Sequence, residues 1–223
     1  MERRGFTLFE KWTGRATPPP APKPENSISN PLKLHCGDYI LAKPLEGHDS
    51  PFTVTEVREY LREIASETCS FADYVLKQGD EVRILRANPH GGREAARPQD
   101  CDFLWLRVFY EMQFDPGVRE AVAQAVFEVD NDDDGKPDVA YQALDAGSDG
   151  YLARLRVARS GEETVLSRTL RYWDFFRKGD SKKDEIEQED IFFFVEIDEA
   201  DGYTVMLEGP KIASSDIEVF PGD

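Results

Sequence analysis

The stretch VDNDDDGKPDVAY holds the densest set of metal-binding side chains in the chain. Asp130, Asp132, Asp134, Gly135 and Asp138 fall in the spacing DxDxDGxxD. Alternate carboxylates in one tight loop converge on a hard divalent cation, glycine at the sixth place allows the sharp turn, and a main-chain carbonyl fills the seventh, here that of Lys136. The expected ion is Ca2+. The competing reading is a solvated hairpin loop in which Asp, Asn and Gly serve only to turn the chain. Four carboxylates this close repel one another, and turning alone does not require them all. An incomplete cage of this kind holds calcium at roughly 0.1 to 1 mM, far above cytosolic supply.

This loop resembles the calcium loops of EF-hands, thrombospondin type 3 repeats and, most of all, FG-GAP repeats. In the last, a strand, an acidic loop, Lys-Pro-Asp and a second strand follow one another as they do here. The likeness covers about a dozen residues and implies a ligand set of Asp130, Asp132, Asp134, the Lys136 carbonyl and Asp138. Tyr141 stands where an EF-hand carries its closing bidentate Glu, so Asp138 would supply that ligand. FG-GAP and thrombospondin proteins repeat the loop many times, whereas this chain has it once.

Catalytic constellations are otherwise sparse. His48-Asp49-Ser50 contains triad residue types, but consecutive positions cannot form the base-to-nucleophile geometry. His35-Cys36 and His90 lack the spaced partners of a zinc site. No GxGxxG, GxxxxGK[ST], HExxH or GxSxG occurs. Carboxylates are too abundant for an acid/base pair to be chosen from the sequence; the reading leans toward a non-enzymatic interaction module, with an enzyme of unknown class as an alternative.

A second functional lead is the N-terminus. In MERRGFTLFEKWTGR, the pairs Phe6–Phe9 and Leu8–Trp12 stand at helical spacings of three and four, among Arg3, Arg4, Lys11 and Arg15. The plain reading is an unstructured tail. The sharper reading is a short amphipathic anchor in which Phe6, Leu8, Phe9 and Trp12 touch a membrane surface or a protein partner's groove, weakly and reversibly. The following ATPPPAPKPENSISNP reads as an extended linker with no core of its own. Residues 1–30 therefore form an anchor and linker, and 31–223 a globular region with a candidate subdivision near 115–123.

These features ride on 223 residues with 44 Asp and Glu against 27 Lys and Arg, a net charge of -17. Such a surface excludes non-specific nucleic-acid binding, which needs net positive charge. Three widely spaced cysteines, Cys36, Cys69 and Cys101, are not a disulfide framework. The expected location is the cytoplasm, membrane-peripheral if the N-terminal segment is an anchor.

From Pro31 onward, short apolar stretches alternate with turn residues, which predicts strands. They are expected over 38–42, 52–57, 71–76, 81–85, 103–110, 124–129, 139–143, 151–157, 165–176, 191–197, 203–207 and 217–220. Asp201-Gly202 predicts a hairpin turn. Asp115-Pro116 predicts a helix N-terminus, and Val57, Leu61 and Ile64 could line a second helix. Consecutive Phe192, Phe193 and Phe194 imply that at least one faces away from the core; such aromatic clusters ordinarily read as core, whereas an exposed Phe193 would mark a partner surface. FADYVLKQGD and YWDFFRKGD rhyme, each an aromatic strand entering a Gly-Asp turn. The fold expected is mainly β, antiparallel, barrel-like or sandwich-like, of two similar small units with one or two short helices.

The segments PLKLHCGDYI, TVTEVREY, FADYVL and DFLWLRV, behind a Leu/Phe/Lys/Trp start and a Pro-rich linker, resemble a group of uncharacterised bacterial β-domain proteins. Some of that group are encoded beside relatives of phage shock protein A, which work at the inner-membrane surface. The resemblance covers residues 6–110 and brings no catalytic residues. It implies an accessory or scaffold role near the membrane.

Overall fold

The computed structural model describes residues 30–42, 50–64, 67–89, 97–124, 126–129, 139–143, 149–159, 162–177 and 191–222. Within them the chain forms β1 (Tyr39–Ala42), β2 (Phe52–Ile64), β3 (Glu67–Gln78), β4 (Glu81–Pro89), β5 (Cys101–Gln113), α1 (Pro116–Val122), β6 (Val126–Val129), β7 (Val139–Ala143), β8 (Tyr151–Arg159), β9 (Glu162–Arg177), β10 (Ile191–Asp198), β11 (Tyr203–Ile212) and β12 (Ile217–Phe220).

Strands β2 to β5 pair as one antiparallel meander and β8 to β11 as another. The two meet first strand to first strand, β2 on β8, and last to last, β5 on β11. Eight strands thereby close into a barrel. β2 starts against β1 at Phe52 and Thr53, shifts register between Val54 and Glu56, and pairs with β8 from Glu56 on. β9 likewise leaves β8 and picks up β7 at Phe175–Arg177. A bulge or change of partner is how a strand leaves one sheet layer for another. The rhyming segments overlap the second strand of each meander, the later one as far as Arg177, and their aromatic residues Phe71 and Tyr172 meet edge to face at 5.5 Å.

Period-two alternation gives the wall an inner and an outer face. Outside the first meander, β1, β12 and Leu32 and Leu34 cover a core with Phe52, Tyr74, Phe103 and Trp105. Outside the second, α1, β6 and β7 cover Trp173, Phe175, Phe193 and Val195. Inside, Tyr60, Phe71, Leu155, Leu170 and Tyr172 form one cluster, and Ile84, Leu104, Leu106, Phe194 and Leu207 another. This doubly covered wall overturns two expectations. Phe193 is fully buried under the outer layer while Phe192 and Phe194 pack in the inner cluster, so none of the three marks a partner surface. Residues Val57 to Ile64 are strand, with Arg58, Tyr60 and Arg62 on the inner side, because pairing with β3 and β8 on both edges outweighs a weak helical pattern.

The local signals hold where tertiary packing does not oppose them. Asp115 Oδ1 accepts the Gly117 N–H at 2.7 Å, capping α1 with Pro116 at its first turn. Gly202 takes φ +67° in the β10–β11 turn, while Asp198 Oδ1 accepts the Ala200 and Asp201 N–H groups at 3.1 Å each. At the β5–β11 seam, Gly209 lies so close to β5 that a Cβ there would stand 2.0 Å from the Trp105 carbonyl oxygen. Among the described residues no helix is long and apolar enough to cross a membrane.

Candidate functional site

The inner face of each meander carries charges in otherwise apolar strands. Asp73 and Arg86 are register partners on β3 and β4. Arg86 Nε and Nη2 donate to the two oxygens of Asp73 at 2.7 Å each, and Nη2 also donates to Glu196 Oε1 at 2.7 Å. Tyr60 donates its hydroxyl to Glu196 Oε2 at 3.2 Å. Glu196 lies on β10, so these two bonds cross the lumen and tie one meander to the other. The guanidinium carbon lies 4.7 Å from the Phe71 ring centre and 4.3 Å from that of Phe194, at the junction of the two inner clusters. Two carboxylates share one cation here. Burial, with the Asp73 charge adding to it against the pull of Arg86, holds the Glu196 carboxyl above the usual range. Burial, then the charges of Glu196 and Asp73, pushes the Tyr60 phenol well up.

On one side of this network the lumen is packed; on the other it opens into a cavity of about 340 Å³. Arg58 and Tyr60 of β2, Glu111 of β5, Leu155 of β8, Arg168 and Leu170 of β9, Glu196 and Asp198 of β10, Asp201, and Tyr203 and Val205 of β11 line it. Every wall strand but β3 and β4 contributes. An eight-stranded barrel has room for its own side chains or for one small ligand, and here the two uses divide the lumen.

The lining is a set of matched charges with one exception. Arg58 Nε donates to Glu56 Oε1 at 2.5 Å and Arg159 Nε to Glu56 Oε2 at 2.7 Å. Burial would raise the Glu56 carboxyl, but the two arginines outweigh it and hold it low. Arg168 lies 3.1 Å from Asp198 and 2.5 Å from Asp201. Glu111 accepts one bond, from the Tyr203 hydroxyl at 3.3 Å, and its Oε1 is closed off from solvent without a hydrogen-bond partner. Burial pushes the Glu111 carboxyl up, against smaller lowering by Tyr203 and Arg58. Burial and the Glu111 charge push the Tyr203 phenol up to about 12.

The residues expected from sequence to bind metal or partners lie outside the described ones: Asp130, Asp132, Asp134, Lys136 and Asp138 of the acidic loop, and Phe6, Leu8, Phe9 and Trp12 of the N-terminal segment. Among the described residues no group of three or more His, Cys, Asp or Glu could hold a metal ion. His35 stands beside Asp38, its Nδ1 3.8 Å from Oδ2, at a turn where Asp38 also accepts the His35 and Gly222 N–H groups. That arrangement closes a turn.

Sequence reasoning missed both the lumen network and the cavity lining. The network's signal was a charge with an apolar or aromatic neighbour on each side in a strand: Asp73 between Ala72 and Tyr74, Arg86 between Leu85 and Ala87, Glu196 between Val195 and Ile197. Each is nearly fully buried. No family model, no curated protein and no solved structure matches the chain.

Proposed function

We propose that the chain is a non-enzymatic binding module that takes a small polar ligand in the barrel mouth. The observation that carries this reading is the cavity of about 340 Å³, ringed by charged and phenolic side chains that the wall strands hold in place. It lies at the low end of the range for small-molecule sites. Buried ion networks are poor sources of stability, because apolar residues of similar volume hold a core as well. A lumen that keeps Arg58, Tyr60, Glu111, Arg168 and Glu196 where Leu and Val would pack supports a recognition role. Turnover has less support, since the described lining residues include no His, Cys, Ser or Thr that could serve as nucleophile or imidazole base. The N-terminal Phe6, Leu8, Phe9 and Trp12 would hold the module to a membrane surface or protein partner, in the scaffold role the sequence suggests.

A thermal-shift screen of small polar compounds on the full chain tests the reading. A true ligand at about one hundred times its Kd raises the melting temperature by roughly 5 °C or more. Val205→Trp, which fills the half-buried mouth, is expected to cancel that shift. Shifts that survive Val205→Trp, or a screen with none, count against the cavity as a site.

The spacing of the acidic loop supports a separate calcium reading. It predicts a rise of several degrees in melting temperature between EDTA and about 1 mM calcium, the working range of extracellular modules. Asp134→Asn is expected to remove most of that rise. Identical melts in the two buffers would leave the loop a charged turn.

A further inference from the structure

The ligand-binding reading leaves the chemical class of the ligand open, and the inference drawn here rests on that reading. The cations facing the cavity are already engaged: Arg58 with Glu56, and Arg168 with Asp198 and Asp201. Glu196 is satisfied on both oxygens by Arg86 and Tyr60. Glu111 alone among the lining carboxylates has no cation within ion-pair distance, and its single hydrogen bond, from Tyr203, is long at 3.3 Å.

We propose that the ligand carries a cationic nitrogen, an amine or a guanidinium, that docks against Glu111. Three further features fit. Carboxylates outnumber arginines in and around the cavity, so an anion entering it meets net repulsion while a cation offsets the excess. Leu155, Leu170 and Val205 supply apolar wall for a short alkyl stem. Tyr203 holds its hydroxyl beside Glu111, so the phenol oxygen is a second acceptor for an N–H of the cation. Glu111 Oε1 is shielded, so the nitrogen reaches the carboxylate at Oε2, replacing or sharing the Tyr203 bond. Burial holds the Glu111 carboxyl high, and a bound cation would draw it down.

The test is isothermal titration of the full chain with three probes of equal carbon number: n-butylammonium, 1-butanol and butyrate. A five-atom ligand that fits well binds at about 1 mM. Butylammonium is expected near that value, with butanol and butyrate at least about tenfold weaker. Glu111→Gln should abolish the preference, so that amine and alcohol bind alike. Val205→Lys provides a second variant that keeps the carboxylate: Val205 and Glu111 are register partners on β11 and β5. The new ammonium would occupy the cation's place from within, raising the melting temperature and blocking butylammonium. Three results would overturn the proposal: butanol or butyrate binding as tightly as the amine, amine binding unchanged in both variants, or no amine binding at about 50 mM, well above the Kd of a fitted fragment. Each leaves the Val205→Trp experiment to decide whether the cavity binds anything, so the two failures are distinguishable.

Discussion

Arg86→Leu is expected to remove about 3 to 5 kcal/mol of folding stability, the loss typical when one partner of a buried ion pair is deleted. Arg86 is 2% exposed, and Asp73, its bidentate partner, is fully buried. Without the guanidinium, Asp73 and Glu196 face each other across the lumen with only Tyr60 donating to either side chain among the hydrogen bonds described above. The rings of Phe71 and Phe194 lose the cation they flank. Arg86→Lys should recover only part of the loss, because a point charge cannot reproduce the fork that holds Asp73. Replacing Arg86, Asp73 and Glu196 together by Leu should be far milder than Arg86→Leu alone, since no charge is then stranded. Urea midpoints of the three variants check the order; equal losses for the single and triple changes would contradict it.

Gly209→Ala is the second large effect. The added methyl would stand 2.0 Å from the Trp105 carbonyl oxygen, 2.8 Å from its carbon and 2.9 Å from the Leu106 Cα. All three are backbone atoms of β5 and cannot swing aside as a side-chain tip would. The β5–β11 seam would have to open, at an expected loss above about 3 kcal/mol, in the range of severe overpacking. Gly79→Ala is the control: φ is +57° but no atom lies within 4 Å, so only the backbone penalty of about 1 kcal/mol applies. Hydrogen exchange in Gly209→Ala should lose protection first on β5 and β11. Equal stability losses at the two glycines would contradict the steric account.

The strand positions and the α1 start were legible because they depend on local patterns. Val139–Ala143 and Ile191–Asp198 were read within a residue, and Asp115-Pro116 caps α1 as expected. The described parts of the rhyming segments, 71–80 and 172–177, both start on the second strand of a meander, and the two meanders close one barrel. What the sequence could not show is which strands meet across the two halves, since β2 on β8 and β5 on β11 depend on no neighbouring residues. Without that closure the inner side of the wall is invisible: Glu111, Glu196 and Arg58 read as surface charges in a chain already crowded with them. Phe193 is core, as aromatic clusters ordinarily are, but the expectation that one of Phe192, Phe193 and Phe194 faces away from the core failed for the same reason: a strand with a packed lumen on one side and a covering layer on the other has no outward face.

The way the two meanders join also constrains how the molecule comes into being. Once residues up to Gln113 have been synthesised, half of the wall exists, with the outer edges of β2 and β5 both unpaired. β8 must arrive to cover the first edge, and the second waits until Tyr203–Ile212 is made. β1 waits longer still, for Ile217–Phe220. Pairing over such sequence distances is slow, and bare strand edges are where chains stick to one another. The barrel thus behaves as a clasp that fastens only once β11 is made, and a chain without β11 and β12 would keep the β2–β8 seam but leave β5 bare along the edge that closes the wall.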